Sequence, residues 1–102
     1  MINERKQTIR QEIIDALENN PLTVREISQS IGIMEKDVYH HLHFIEKSIK
    51  HHNKKLDIEP HCCMNCGFQF KNRKTFKRPG KCPECRNGRI ASAVFQIISI
   101  RT

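Results

Sequence analysis

The stretch Leu22-Thr23-Val24-Arg25-Glu26-Ile27-Ser28-Gln29-Ser30-Ile31-Gly32-Ile33 holds one short helix with both ends written into it. Thr23 and Glu26 stand three apart. At that spacing an N-cap hydroxyl and a carboxylate one turn later each accept a hydrogen bond from the other's backbone N–H. Val24, Ile27 and Ile31 supply an apolar stripe. Gly32 ends the helix after about two turns, in the place favoured for a left-handed residue.

Upstream, Ile9, Ile13, Ala16 and Leu17 recur at helical spacing until Asn19-Asn20-Pro21 stops the pattern. Downstream, a third helix follows almost at once, with Val38, Leu42, Ile45 and Ile49 as its buried positions. Two short helices joined by a glycine-containing turn predict a helix-turn-helix arrangement. Beyond it, Lys55-Leu56-Asp57-Ile58-Glu59 alternates as a half-buried strand does, and Pro60 ends it. Ala91 to Ile100 is rich in Val, Ile and Phe and predicts a second strand. Thirty residues, 61–90, separate these two strands, too long a gap for a structureless loop in so small a domain.

That gap contains Cys63-Met64-Asn65-Cys66 and Cys82-Pro83-Glu84-Cys85, with fifteen residues between the pairs. Each C-x2-C turn can present two thiolates to one ion, and the separation suits a tetrahedral zinc site. Metal binding would then supply folding free energy to a segment with little core of its own. Gly67 allows the first turn to close under the sulfurs, and Gly67-Phe68-Gln69-Phe70 reads as a strand start with both phenylalanines on one face. Disulfides fit poorly. The cysteines number five, and the N-terminal residues Met1 to Lys6 lack the apolar core of an export signal, so the expected compartment is a reducing cytoplasm. Iron in a rubredoxin-like site is the alternative metal. Cys62 would stretch the first turn to C-x3-C, and His61 is displaced in the same way; neither is expected to be a ligand. The expected cofactor is one Zn2+ on Cys63, Cys66, Cys82 and Cys85.

The run from Leu22 to Ile33, followed by Val38 and His41-Leu42, resembles winged helix-turn-helix transcriptional regulators over about residues 8–50. Together with the paired cysteines it is similar to a mostly archaeal regulator family in which a rubredoxin-like zinc ribbon is inserted in the wing. The resemblance implies an α+β fold, a winged helix-turn-helix of three helices plus a two-stranded wing with an inserted zinc ribbon. Residues 1–60 would form the helix-turn-helix core and first wing strand, 61–90 the ribbon, and 91–102 the second wing strand. It also implies transcription regulation, with double-stranded DNA as partner.

Charge points the same way. The 102 residues carry a net +7. Residues 1–60 hold nine Lys/Arg against ten Asp/Glu, whereas 61–90 hold eight Lys/Arg against Glu84 alone. The basic excess therefore belongs to the cysteine module, an electrostatic footprint for a polyanion. Candidate nucleic-acid contacts are Lys71, Arg73, Lys74, Lys77 and Arg78 on the module. On the third helix they are Lys36, Tyr39, His40, His43 and Lys47, with partial burial in the core as the alternative reading of Tyr39. Glu35 and Asp37 at that helix's start favour its dipole but repel phosphates. The histidines His40, His41, His43, His51 and His52 have no cysteine or carboxylate at matching spacing and do not read as a second metal site. Met34 and Phe44 are core or flank residues.

A core this small has little room for a catalytic pocket, so no enzyme is expected. No stretch approaches the roughly 18 apolar residues of a membrane span. Two other classes compete: a zinc-stabilised module that docks proteins of the transcription machinery, and an iron redox protein. Arg86, where rubredoxins usually carry glycine, counts against the latter. The sequence leaves the oligomeric state open.

Overall fold

The structure, a computed structural model, describes residues 8–71 and 76–100. Helix α1 spans Ile9–Asn19, α2 Val24–Ile31 and α3 Glu35–Ser48, the last running into a 3-10 turn, Ile49–His52. Strands follow at Lys54–Glu59 (β1), Cys62–Cys63 (β2), Ile90–Ala91 (β3) and Val94–Ser99 (β4).

The helix ends form where the side chains direct them. The Thr8 hydroxyl accepts from the Gln11 N–H at 3.1 Å and starts α1. At α2 the capping box is complete: Glu26 N–H donates to Thr23 Oγ1 at 3.2 Å, and Thr23 N–H to Glu26 Oε1 at 2.9 Å. Such a cap contributes about 1 kcal/mol. Gly32 closes α2 at φ 82°, a conformation that costs an L-residue side-chain strain. Helix α3 starts at Met34 without a side-chain cap, and Glu35 and Asp37 in its first turn offset the dipole instead.

All three helices and the β1–β4 hairpin share one core. Ile13 and Leu17 of α1, Val24 and Ile27 of α2, and Val38, Leu42 and Ile45 of α3 are buried with Ile49. The hairpin adds Leu56, Phe95 and Ile97 from one face. β1 and β4 pair antiparallel from Lys54↔Ser99 to Glu59↔Val94, an arrangement compatible with a wing. Leu22 extends this sheet, exchanging hydrogen bonds of 2.8 and 2.9 Å with Phe95 on the far side of β4 from β1. An ion pair between Lys54 and Glu18 ties β1 to α1. Met34 and Phe44 are flank residues, 61% and 45% exposed.

Two strand expectations are corrected. The apolar run Ala91 to Ile100 is two pieces: Ala91 pairs with Cys62, and Val94–Ser99 pairs with β1. The break falls at Ser92–Ala93 because the Ala93 N–H leaves the ladder and donates to His61 Nδ1 at 3.1 Å. Gly67–Phe70, expected as a strand start, contributes a single bridge, Cys62↔Gln69. Phe68 and Phe70 do share a face, meeting edge-to-face at 5.0 Å.

Candidate metal centre and basic face

Two turns of matching construction bring the four cysteines together. In the first, Gly67 N–H donates to Cys63 O and Cys63 N–H to Phe68 O, at 2.9 and 2.8 Å. In the second, Arg86 N–H donates to Cys82 O and Cys82 N–H to Asn87 O, at 2.8 and 2.9 Å. The residue after each C-x2-C takes positive φ, 81° at Gly67 and 62° at Arg86. β2 and β3 pair at the base of the first turn, and Met64 N–H donates to Arg89 O at 2.8 Å.

The sulfurs of Cys63, Cys66, Cys82 and Cys85 all lie within 4.8 Å of one another, with Cys63–Cys85 and Cys66–Cys82 both at 3.5 Å. A tetrahedral ion with metal–sulfur bonds near 2.3 Å needs sulfurs roughly 3.8 Å apart, so the cluster can hold one metal ion. Backbone donors already face it. Glu84 N–H points at Cys82 Sγ at 3.4 Å, the geometry that stabilises a thiolate. Hydrogen bonds from the Asn65 side chain and the Asn87 backbone bring the Cys85 thiol down to about 6, against a partial desolvation. Cys66 responds in the opposite sense. The Phe68 N–H favours its thiolate, yet desolvation and the crowding by Cys82, Cys63 and Cys85 push it up to about 12. Four thiols this close share protons, and a cation would release them.

Cys62 and His61 stand outside the cluster. Strand alternation turns Cys62 away from Cys63, and its thiol points to the Cys63 carbonyl at 3.6 Å. His61 is a buried tie. Its Nδ1 accepts from Ala93 N–H and so carries the lone pair; its Nε2 proton is left to donate to the Phe76 carbonyl at 3.3 Å. Beneath the sulfurs, Cys63, Cys82, Phe70 and Ile90 form a second small core, with Phe68 and Cys85 packed on it. Half of its buried residues, Cys63 and Cys82, belong to the cysteine cluster.

Sequence reasoning missed how this module meets α3. Phe76 stacks on His43 at 4.4 Å between centroids and meets Phe95 edge-on at 5.4 Å. Two residues on, the Arg78 backbone N–H faces the Tyr39 phenol. Burial and the nearby Glu35 carboxylate raise the Tyr39 pKa, while that N–H and the Arg78 charge oppose the rise. The available signal was Phe76 itself, one large apolar residue within Arg73-Lys74-Thr75-Phe76-Lys77-Arg78. Asn65 was missed too, and no pattern in the sequence marks it.

The candidate nucleic-acid contacts fall into three groups. Lys36, His40, His43 and Lys47 follow helical spacing along the face of α3 opposite Val38 and Leu42. Lys36, His40 and Lys47 are exposed, whereas His43 and Tyr39 are half-buried beside the module. Lys71, Lys77 and Arg78 are exposed on the module; Arg73 and Lys74 lie outside the described residues. His41 sits on the flank of α3, where the Arg10 Nε donates to its Nδ1 at 3.3 Å. Arg10 also lies over the Phe44 ring at 4.2 Å.

Comparison with known proteins gives the same architecture. Residues 8–56 match the family model described as PF0610-like, N-terminal, which spans the three helices and enters β1. The chain is also similar to protein PF0610 from the archaeon Pyrococcus furiosus, known from a solution NMR structure. The TM-score is 0.79 at 26% identity, covering 100% of this chain and 97% of that one. No curated protein matches. No helix among the described residues is long and apolar enough to cross a membrane.

Proposed function

We propose that this chain is a DNA-binding transcriptional regulator. In this reading α1–α3 with the β1–β4 hairpin form a winged helix-turn-helix, and the cysteine module is a zinc ribbon inserted between the wing strands. The observation that carries it is the docking of Phe76 and Arg78 onto α3 at His43 and Tyr39. It joins the most basic segment of the chain to the flank of the helix whose outward stripe is Lys36, His40 and Lys47. The ribbon cations would contact phosphates and set register, and α3 would read base edges. Zinc would act as structure rather than catalyst, holding a thirty-residue insertion whose own core, among the described residues, is four residues. The reading assigns no enzymatic step.

The test is a gel shift across a salt series. Each phosphate contact on duplex DNA adds about 0.9 to the slope of log affinity against log salt. Neutralising Lys71, Arg73, Lys74, Lys77 and Arg78 together should reduce both affinity and slope. Unchanged affinity would remove the ribbon as the electrostatic contact. One feature favours a protein-docking module of the transcription machinery instead: Met64, 62% exposed at the tip of the first cysteine turn. A protein partner retained at high salt, with no DNA binding, would select that reading.

A further inference from the structure

Between the helical unit and the cysteine module lies a cleft of about 180 Å3. Arg25 of α2, Glu35 and Tyr39 of α3, and Arg78 of the module line it, over an apolar floor that includes Phe95. Both guanidinium groups are on exposed residues, and among the described residues neither is paired with a carboxylate. The Arg78 backbone N–H faces the Tyr39 phenol, and the phenol adds an O–H donor to the lining of the cleft. His61 also borders the cleft, but its ring nitrogens are committed to Ala93 and Phe76, so it serves as wall.

The polar groups define the occupant. Two guanidinia and a phenol O–H call for an anionic group with paired oxygens, and a carboxylate suits the guanidinium fork. Glu35 shares the same small space. A plain anion would be repelled by it, whereas a ligand carrying an ammonium beside its carboxylate satisfies both signs. Size limits the choice further. The volume equals that of about six water molecules and lies below the roughly 300 Å3 at which drug-sized pockets begin, so nucleotides are too large. We infer that this cleft binds a free α-amino acid, with Arg25 and Arg78 taking the carboxylate and Glu35 the ammonium group.

The site has a structural consequence. Arg25 and Glu35 belong to the helical unit and Arg78 to the cysteine module, so an occupant bridges the two and holds the module against α3. This binding does not depend on the DNA reading and is measured without DNA.

The experiment uses the full-length, zinc-loaded chain in NMR titrations with each of the standard α-amino acids at millimolar concentration. Acetate, methylamine and inorganic phosphate serve as single-charge probes. At least one amino acid should shift the resonances of Arg25, Glu35, Tyr39 and Arg78, and bind ten-fold or more tightly than any of the three probes. Arg78→Met and Glu35→Gln should each weaken it about ten-fold, which corresponds to about 1.4 kcal/mol. All the substituted residues are exposed, and an unchanged spectrum elsewhere confirms the fold. Two results overturn the inference. One is the absence of any shift in these residues with every amino acid. The other is phosphate binding that tightens in Glu35→Gln, which would make the cleft a simple anion site.

Discussion

Phe76 stacks on His43 with centroids 4.4 Å apart and rings only 14° from parallel. These residues belong to different parts of the chain, one in the cysteine module and the other in α3. The module is therefore not an independent bead at the end of two strands. It is held against the helical unit by this aromatic pair, by the Phe76–Phe95 contact behind it, and by the Ala93 N–H bonding His61.

Removing that anchor should loosen the docking without emptying the metal site. Phe76→Ala is expected to cost about 2 kcal/mol, less than a fully buried phenylalanine because Phe76 is only half-buried. Denaturation of the zinc-loaded protein checks the cost, and metal analysis should still find one ion per chain.

The metal centre separates the five cysteines sharply. Cys85→Ala should abolish stoichiometric zinc binding, whereas Cys62→Ala should leave it intact, because only the former's sulfur lies in the cluster. A chelator should collapse the NMR dispersion of residues 61–90 and preserve most of the helical circular dichroism, since α1–α3 have a core of their own. A colourless, zinc-containing protein is expected on purification. A visible thiolate–iron spectrum would instead establish the redox class.

Positive φ at Arg86 makes a prediction of unusual sign. A left-handed L-residue costs roughly 1–2 kcal/mol, so Arg86→Gly should stabilise the loaded protein by about 1 kcal/mol, even as it removes a charge. Gly67→Ala should lose a similar amount through backbone strain alone, because a Cβ there meets nothing within 4 Å. Zinc competition titrations on both variants measure the pair.

His41 gives the fold a pH dependence. Its pKa is lowered from 6.5, first by burial, then by Arg10 and His40, with Asp37 opposing. The unfolded chain thus binds the proton more readily than the native one through this window. The contribution is fully present above about pH 6.5 and is lost as pH falls toward the folded value. Protonation at Nδ1 also removes the acceptor for Arg10 Nε. His41→Gln should flatten the acid limb of stability against pH, relative to the parent protein with its metal site kept saturated.

What was legible in the sequence was local. The capping box at Thr23, the αL turn at Gly32, the stripe Val38-Leu42-Ile45 and the two cysteine turns all depend on residues within a few positions of each other. What escaped was set by distant partners. The break at Ser92–Ala93 exists because His61, thirty-two residues earlier, captures the Ala93 N–H. The Leu22–Phe95 bridge adds a strand partner from before α2. His43, read as an outward contact on α3, lies half-buried against Phe76, which helical periodicity could not reveal, while Tyr39 is half-buried against the core, the second of its two readings.

A single DNA-contacting surface made of α3 and the ribbon would be visible in chemical-shift mapping with duplex DNA. Genomic fragments enriched by the zinc-loaded chain would supply the duplex. The largest changes are expected on Lys36, His40 and Lys47 together with Lys77 and Arg78. Changes confined to the ribbon, or no change at salt concentrations where DNA-binding regulators bind, would contradict the proposed surface.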